Sequence, residues 1–287
     1  MTTSATSISE ISGRLEGHLR SLVGPRDPYL GKGRHQLAQQ YIRAELGKWG
    51  AVSAQGFIAQ GQEYFNWRIA IAGRRPQLAP ILVGAHYDTV PGSPGADDNA
   101  SGLAVLLVLA ELLSQTQPQR SVHLVAFDLE EYGLVGSTAC ARDWKAQGRS
   151  LHLMLSLEML GYFSQEARSQ KYPLPTLGRL YPNTGNFIAL IGNASTVPKM
   201  MRLKRHLKKA GAPCQWLPVV DKGNPLPATR RSDHAPFWDE GYPALLVTDT
   251  ADLRNPHYHK DSDRIETLDI EIMASITQGL FDSLRSL

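Results

Sequence analysis

The sequence predicts a single α/β domain built on a mixed, mostly parallel central sheet with helices on both faces. Three observations predict it. Short, continuous apolar runs of strand length alternate with segments of helical period, the pattern of a sheet buried on both sides. The 287 residues, 42% of them hydrophobic, suffice for one large core and are short for two generous domains. Acidic and histidine residues fall just after the C-terminal ends of the apolar runs, where open α/β sheets bind their ligands.

Residues 34–49 carry Leu37, Tyr41, Ile42, Leu46 and Trp49 at helical spacing, and Gly50 is placed to cap that helix. Segments 64–72 (YFNWRIAIA) and 80–85 (PILVGA) read as strands, the second fully buried. A Gly/Pro/Asp-rich loop, Pro91 to Asn99, separates them from an apolar helix at 101–114 and a buried strand at 121–128 (SVHLVAFD). The alternation continues with a helix at 137–147, strands at 151–157 and 187–191, a helix at 198–210, a strand at 243–248 and a closing helix at 269–286. One domain over 1–287 is expected, interrupted by two long loops, 162–186 and 218–232. Loops of that length inside a compact domain are commonly functional. They are the expected pocket walls, with Leu174, Leu177, Tyr181, Phe187, Phe237 and Trp238 as apolar lining or core.

Composition excludes several function classes. Thirty basic against 27 acidic residues, scattered along the chain, leave no nucleic-acid footprint. The cluster Arg202, Lys204, Arg205, Lys208 and Lys209 reads as the solvated face of a helix rather than a phosphate site. Cys140 and Cys214 lie in different segments and define no disulfide framework. No run approaches the roughly 20 apolar residues of a membrane helix. Met1 to Glu10 lacks the basic start and apolar run of a secretory signal, so a cytoplasmic location is expected. Oligomeric state has no sequence signal.

The chemistry lies in the carboxylates and imidazoles. His86 and Asp88 follow ILVGA, Asp97 and Asp98 lie in the next loop, Glu130 and Glu131 follow LVAFD, and Glu158 ends LMLSLE. Four segments therefore bring acidic or imidazole groups to one rim. Such a concentration of negative charge needs a counter-charge, and one or two divalent cations supply it. Imidazole among the donors points to zinc before magnesium or calcium. There is no Cys-rich cluster, HExxH helix, P-loop pattern or GxSxG elbow. Taken singly, each His could be an ordinary hydrogen-bonded histidine and the Glu130–Glu131 pair a solvated helix start; the joint pattern favours a catalytic site.

Five segments, GAHYDTVPGSPGADDNASG (84–102), DLEEYGLVGS (128–137), SLEMLGY (156–162), RSDHAPF (231–237) and NPHYHKDSD (255–263), together resemble the M28 family of co-catalytic zinc peptidases, leucyl-type aminopeptidases related to glutaminyl cyclases. The resemblance spans about residues 35–285 and implies a zinc-exopeptidase fold, two zinc ions per chain and a peptide or aminoacyl substrate. It implies that His86 and Glu131 each hold one metal, that Asp98 rather than Asp97 bridges them, and that Glu158 and His259 complete the site. His259 is preferred to His257 because Tyr258, His259 and Asp263 match the family motif. Glu158 departs from the Asp of familiar members, lengthening that arm by one methylene. Glu130 takes the family's general-base role, and Asp88 is the expected partner orienting His86.

Asp233 and His234 either line the site or, with Ser232 or Asp233 as N-cap, support the helix that follows. Two rivals share the resemblance: a single-zinc glutaminyl-cyclase-like acyltransferase, and a non-catalytic binding protein on the same scaffold. Relatives of the second kind lose ligands or the base, whereas every expected position here carries a competent residue.

Overall fold

The computed structural model describes residues 6–287; the first five residues of the polar N-terminal stretch lie outside the described residues. Two helices open the chain, α1 (Ile8–Leu22) and α2 (Lys32–Gly47). The first carries a capping box, Ser7 accepting from the Glu10 N–H while Glu10 accepts from the Ser7 N–H. Its Ile11, Leu15, Leu19 and Leu22 form the buried stripe. The expected Gly50 cap does not form. The second helix ends at Gly47 with right-handed Lys48 as its cap, and the Lys48, Trp49 and Gly50 N–H groups return to Glu45 and Leu46 carbonyls, leaving no need for a left-handed residue.

The hairpin β1 (Ser53–Ala59) and β2 (Gln62–Ile71) turns through Gln60 and Gly61, both at positive φ. Then follow β3 (Ile81–His86), α3 (Gly102–Ser114), β4 (Val122–Phe127), α4 (Val135–Ala146), β5 (Leu153–Glu158), the single turn α5 (Leu177–Leu180), β6 (Ile188–Asn193), α6 (Val197–Lys209), β7 (Cys214–Val219), α7 (His234–Asp239), β8 (Ala244–Thr248) and α8 (Ile270–Ser286).

The eight strands form one sheet in the order β1-β2-β4-β3-β5-β8-β6-β7. Its centre, β4-β3-β5-β8, is parallel. The β1–β2, β2–β4 and β6–β8 pairs are antiparallel, so the sheet is mixed as expected. Alternating side chains divide the core. Ile81, Val83 and Ala85 join α1, α2, α3, α6 and α8 on one face, while Leu82, Val125, Phe127 and Met154 pack against α4 and α7 on the other. Met200, Leu203 and Leu207 of α6 are buried and its basic residues lie on the outer side, the solvated face expected of them. Cys140 and Cys214 are both free and buried. Among the described residues, no helix is long and apolar enough to cross a membrane.

Candidate metal centre

Close packing fixes the strand ends from which the site is built. Gly84 lies so near the Phe127 ring that a Cβ there would meet it at 2.2 Å, so only glycine lets β3 deliver His86 beside β4. Gly95, at φ 63°, starts the turn that carries Asp98, and a Cβ there would strike the Asp98 carbonyl at 2.4 Å. The fully buried Arg26 guanidinium binds the same turn, donating to the carbonyls of Tyr87, Pro94 and Gly95. Leu129, Met159 and His259 adopt positive φ without being glycine. Two of them adjoin Glu130 and Glu158, and such outliers concentrate where structure is held for function.

The seven sequence-predicted residues lie in one region. His86 Nε2 is 3.2 Å from Asp98 Oδ1 and 3.5 Å from Glu158 Oε1. His259 Nε2 is 3.2 Å from both Asp98 Oδ2 and Glu131 Oε2. Two sets of donors result, His86–Asp98–Glu158 and Asp98–Glu131–His259, each with its donor atoms within 4.8 Å of one another. Asp98 belongs to both, one oxygen toward each histidine. Glu130 approaches His86 only to 4.0 Å and joins neither set. Asp88 backs the site, accepting the N–H groups of Glu130 and Glu131 and facing His86 Nδ1 at 3.4 Å.

The two alternatives at neighbouring positions are engaged elsewhere. Asp97 accepts from the Gly161 N–H and the Asn255 amide, and His257 pairs with Ser262. Asp263 accepts the N–H groups of Asp97 and Asp98 at 2.8 and 3.1 Å, which turns the Asp98 side chain inward. Ser232 does not cap α7; its hydroxyl donates to Glu158 at 2.8 Å. Asp233 occupies the cap position without a side-chain cap bond; its carboxylate is fully buried and feels the charges of His86 and Glu158.

Electrostatics mark the region as incomplete on its own. Burial and the Asp98 charge push Glu131 up to about 7. Burial, with Glu158 and Glu131 nearby, holds Glu130 well above the usual carboxylate range. Burial opposes protonation of His86, yet Glu158 and Glu130 hold it well above an ordinary histidine. Burial works against Asp98 too, but His259 and His86 keep it below the usual range. Both His86 ring nitrogens, Asp98 Oδ1 and Glu131 Oε1 are buried without a hydrogen bond. Donor atoms converging from two imidazoles and three carboxylates, those of His86, Asp98 and Glu131 orphaned, fit divalent zinc.

Beside Glu158 lies a cavity of about 110 Å³. Both long loops wall it, through Leu177 and Tyr181 on one side and Leu226 and Thr229 on the other, over a floor from β6, β7 and β8. Of the expected apolar lining, Leu177, Tyr181 and Phe187 are there, Leu174 is exposed, and Phe237 and Trp238 are core. The sequence offers Ser232 only as a helix cap and gives Arg231 and Tyr258 no role of their own, although the motifs containing all three are visible.

Fold and donor geometry together define an α/β domain with two candidate metal-donor sets at its strand ends, and comparison with known proteins fixes the family. Residues 69–283 match the model of Peptidase family M28, and the chain belongs to that family. Among curated proteins it is 36% identical over 259 residues to YfbL, an uncharacterized protein of Escherichia coli (strain K12), covering 85% of this chain and 78% of that one. It is 28% identical to leucine aminopeptidase 1 of Arthroderma gypseum over 85% of this chain, but spans only 64% of that protein. Solved structures of the same fold include LapA from Legionella pneumophila, with TM-score 0.72, 18% identity, and coverage of 98% of this chain and 74% of that one. Porphyromonas gingivalis glutaminyl cyclase matches with TM-score 0.70, 19% identity, and coverage of 98% and 99%.

Proposed function

We propose that this chain is a two-zinc aminopeptidase that releases N-terminal residues from peptides. The observation that carries the reading is the pair of donor sets sharing Asp98. His86, Asp98 and Glu158 would hold one ion, and Asp98, Glu131 and His259 the other. Bound zinc supplies Lewis acidity, lowering the pKa of a coordinated water to about 7 and polarising a carbonyl. Glutamate coordinates zinc as aspartate does, and Ser232 steadies the longer Glu158 arm.

Glu130 is outside both sets yet within 4.0 Å of His86, the placement of a base rather than a ligand. It takes a proton from the attacking water as the new C–O bond forms, then passes it to the amine nitrogen as the C–N bond breaks. Asp88 fixes the Glu130–Glu131 turn through two N–H groups and orients the His86 ring. The carboxylate-rich rim draws the substrate's free amine, and the adjacent apolar cavity accepts a hydrophobic N-terminal side chain.

A second reading has its own support: Asp98, Glu131 and His259 would by themselves hold one zinc, the number associated with a glutaminyl-cyclase-like transferase. A panel of aminoacyl amides and N-terminal Gln peptides, assayed before and after chelation and zinc readdition, separates the two. Chelator-sensitive release of free amino acids supports hydrolysis. Cyclisation of Gln peptides without release of other residues replaces it with the transferase.

A further inference from the structure

His86 and His259 occupy corresponding places in the two donor sets but are held differently. His86 is buried, with the Asp88 carboxylate 3.4 Å from its Nδ1. His259 has 34% side-chain exposure, by far the most of any donor in the centre, and stands at φ 58°. Among the described residues, no side chain or carbonyl is hydrogen-bonded to its Nδ1. A metal-binding imidazole ordinarily depends on such a partner for its orientation.

The ring is held instead by its neighbour. Tyr258 stacks on it with ring centroids 3.7 Å apart and planes 22° off parallel. The Tyr258 hydroxyl accepts from Arg231 Nη2 at 3.0 Å, and Arg231 Nη1 donates to Asp252 at 2.8 Å. One planar guanidinium thus spans two acceptors on separate segments, a geometry that lysine cannot reproduce. Arg231 and Asp252 are 49% and 45% exposed, so their pairing contributes little to overall stability. The pair instead fixes the tyrosine that stacks on this imidazole.

We propose that Arg231, anchored by Asp252, is a positioning residue for His259, acting through Tyr258 on the Asp98–Glu131–His259 metal position. The inference rests on the two-zinc reading above. It is selective, because the His86–Asp98–Glu158 set is braced separately by Asp88 and by the Ser232 hydroxyl.

The test is zinc titration of chelator-stripped protein with Arg231→Met introduced into His86→Ala and His259→Ala backgrounds, folding being checked by circular dichroism. Arg231→Met is expected to weaken zinc about tenfold where His259 remains, the lower end of the effect of removing a ligand's supporting partner. It leaves affinity unchanged where His259 has been removed, and Arg231→Lys recovers only part of the loss. Unchanged affinity in both backgrounds, or equal losses in both, overturns the inference. A readout without metal is the His259 Hε1 resonance of the stripped wild-type chain, displaced by the Tyr258 ring current. Arg231→Met should move it toward the position of a free histidine, and an unmoved resonance overturns the inference. Wild-type protein binding fewer than two zincs counts against the two-zinc reading, and the resonance then decides the role of Arg231 by itself.

Discussion

Asp88 Oδ1 receives the main-chain N–H of Glu130 at 3.0 Å and, from the same oxygen, faces His86 Nδ1 at 3.4 Å. One carboxylate thereby ties the end of β3 to the turn after β4. Asp88→Asn replaces one acceptor oxygen with a donor and leaves a buried N–H of Glu130 or Glu131 unpaired. The expected result is a loss of zinc affinity of about 10- to 100-fold and of about 1–3 kcal/mol in stability. Chelator competition and denaturant melts measure the two; unaltered zinc affinity would remove Asp88 from the account.

Glu130→Gln keeps the size of the side chain and removes the base. Because Glu130 belongs to neither donor set, zinc content should stay at the wild-type level while kcat falls by about 10²- to 10⁴-fold. A variant that loses its zinc along with its activity would make Glu130 a ligand instead.

The parts of the fold that could be read from the sequence are those buried on both faces. β3, β4, β5 and β8 are continuous apolar runs, and the carboxylates that follow them mark the site. β1 and β7, for which the sequence analysis gives no strand, are the two edges of the sheet. Gly56 and exposed positions interrupt one, and Pro218 sits in the other, as edge strands permit. α7 has six residues, too few to show a period. α1 is signalled at its start by Ser7 and Glu10, but Gly13 and Gly17 dilute its helical pattern. The Arg231–Asp252–Tyr258 contact joins residues that spacing does not connect, so only folded geometry reveals it.

His234 is fully buried and donates no charge: burial pushes its imidazole down to about 3 from an ordinary 6.5, while Nε2 meets the Thr229 carbonyl. The folded value lies below the unfolded one. The stability it confers is therefore complete above pH 6.5 and is lost as pH falls toward 3, the unfolded chain binding the proton first. His234→Gln keeps a donor for Thr229 and cannot titrate. Between pH 6 and pH 4, wild-type stability should fall faster than that of the variant by about 1 kcal/mol per pH unit. Parallel curves in denaturant melts would contradict this.

Ala189 lies on β6 and lines the cavity beside Glu158. Ala189→Phe fills space that the proposed reading gives to the substrate's side chain. kcat/KM for leucyl substrates should drop by about tenfold or more, with a smaller change for alanyl substrates. An equal effect on both would place the side chain elsewhere.

The most direct test of the central claim is the zinc content of the purified protein by elemental analysis, read together with amino acid release before and after chelation. Two zincs per chain, with release abolished by the chelator and restored by zinc, is the predicted result. A fully active chain holding one zinc, or activity indifferent to chelation, would contradict the shared-Asp98 centre.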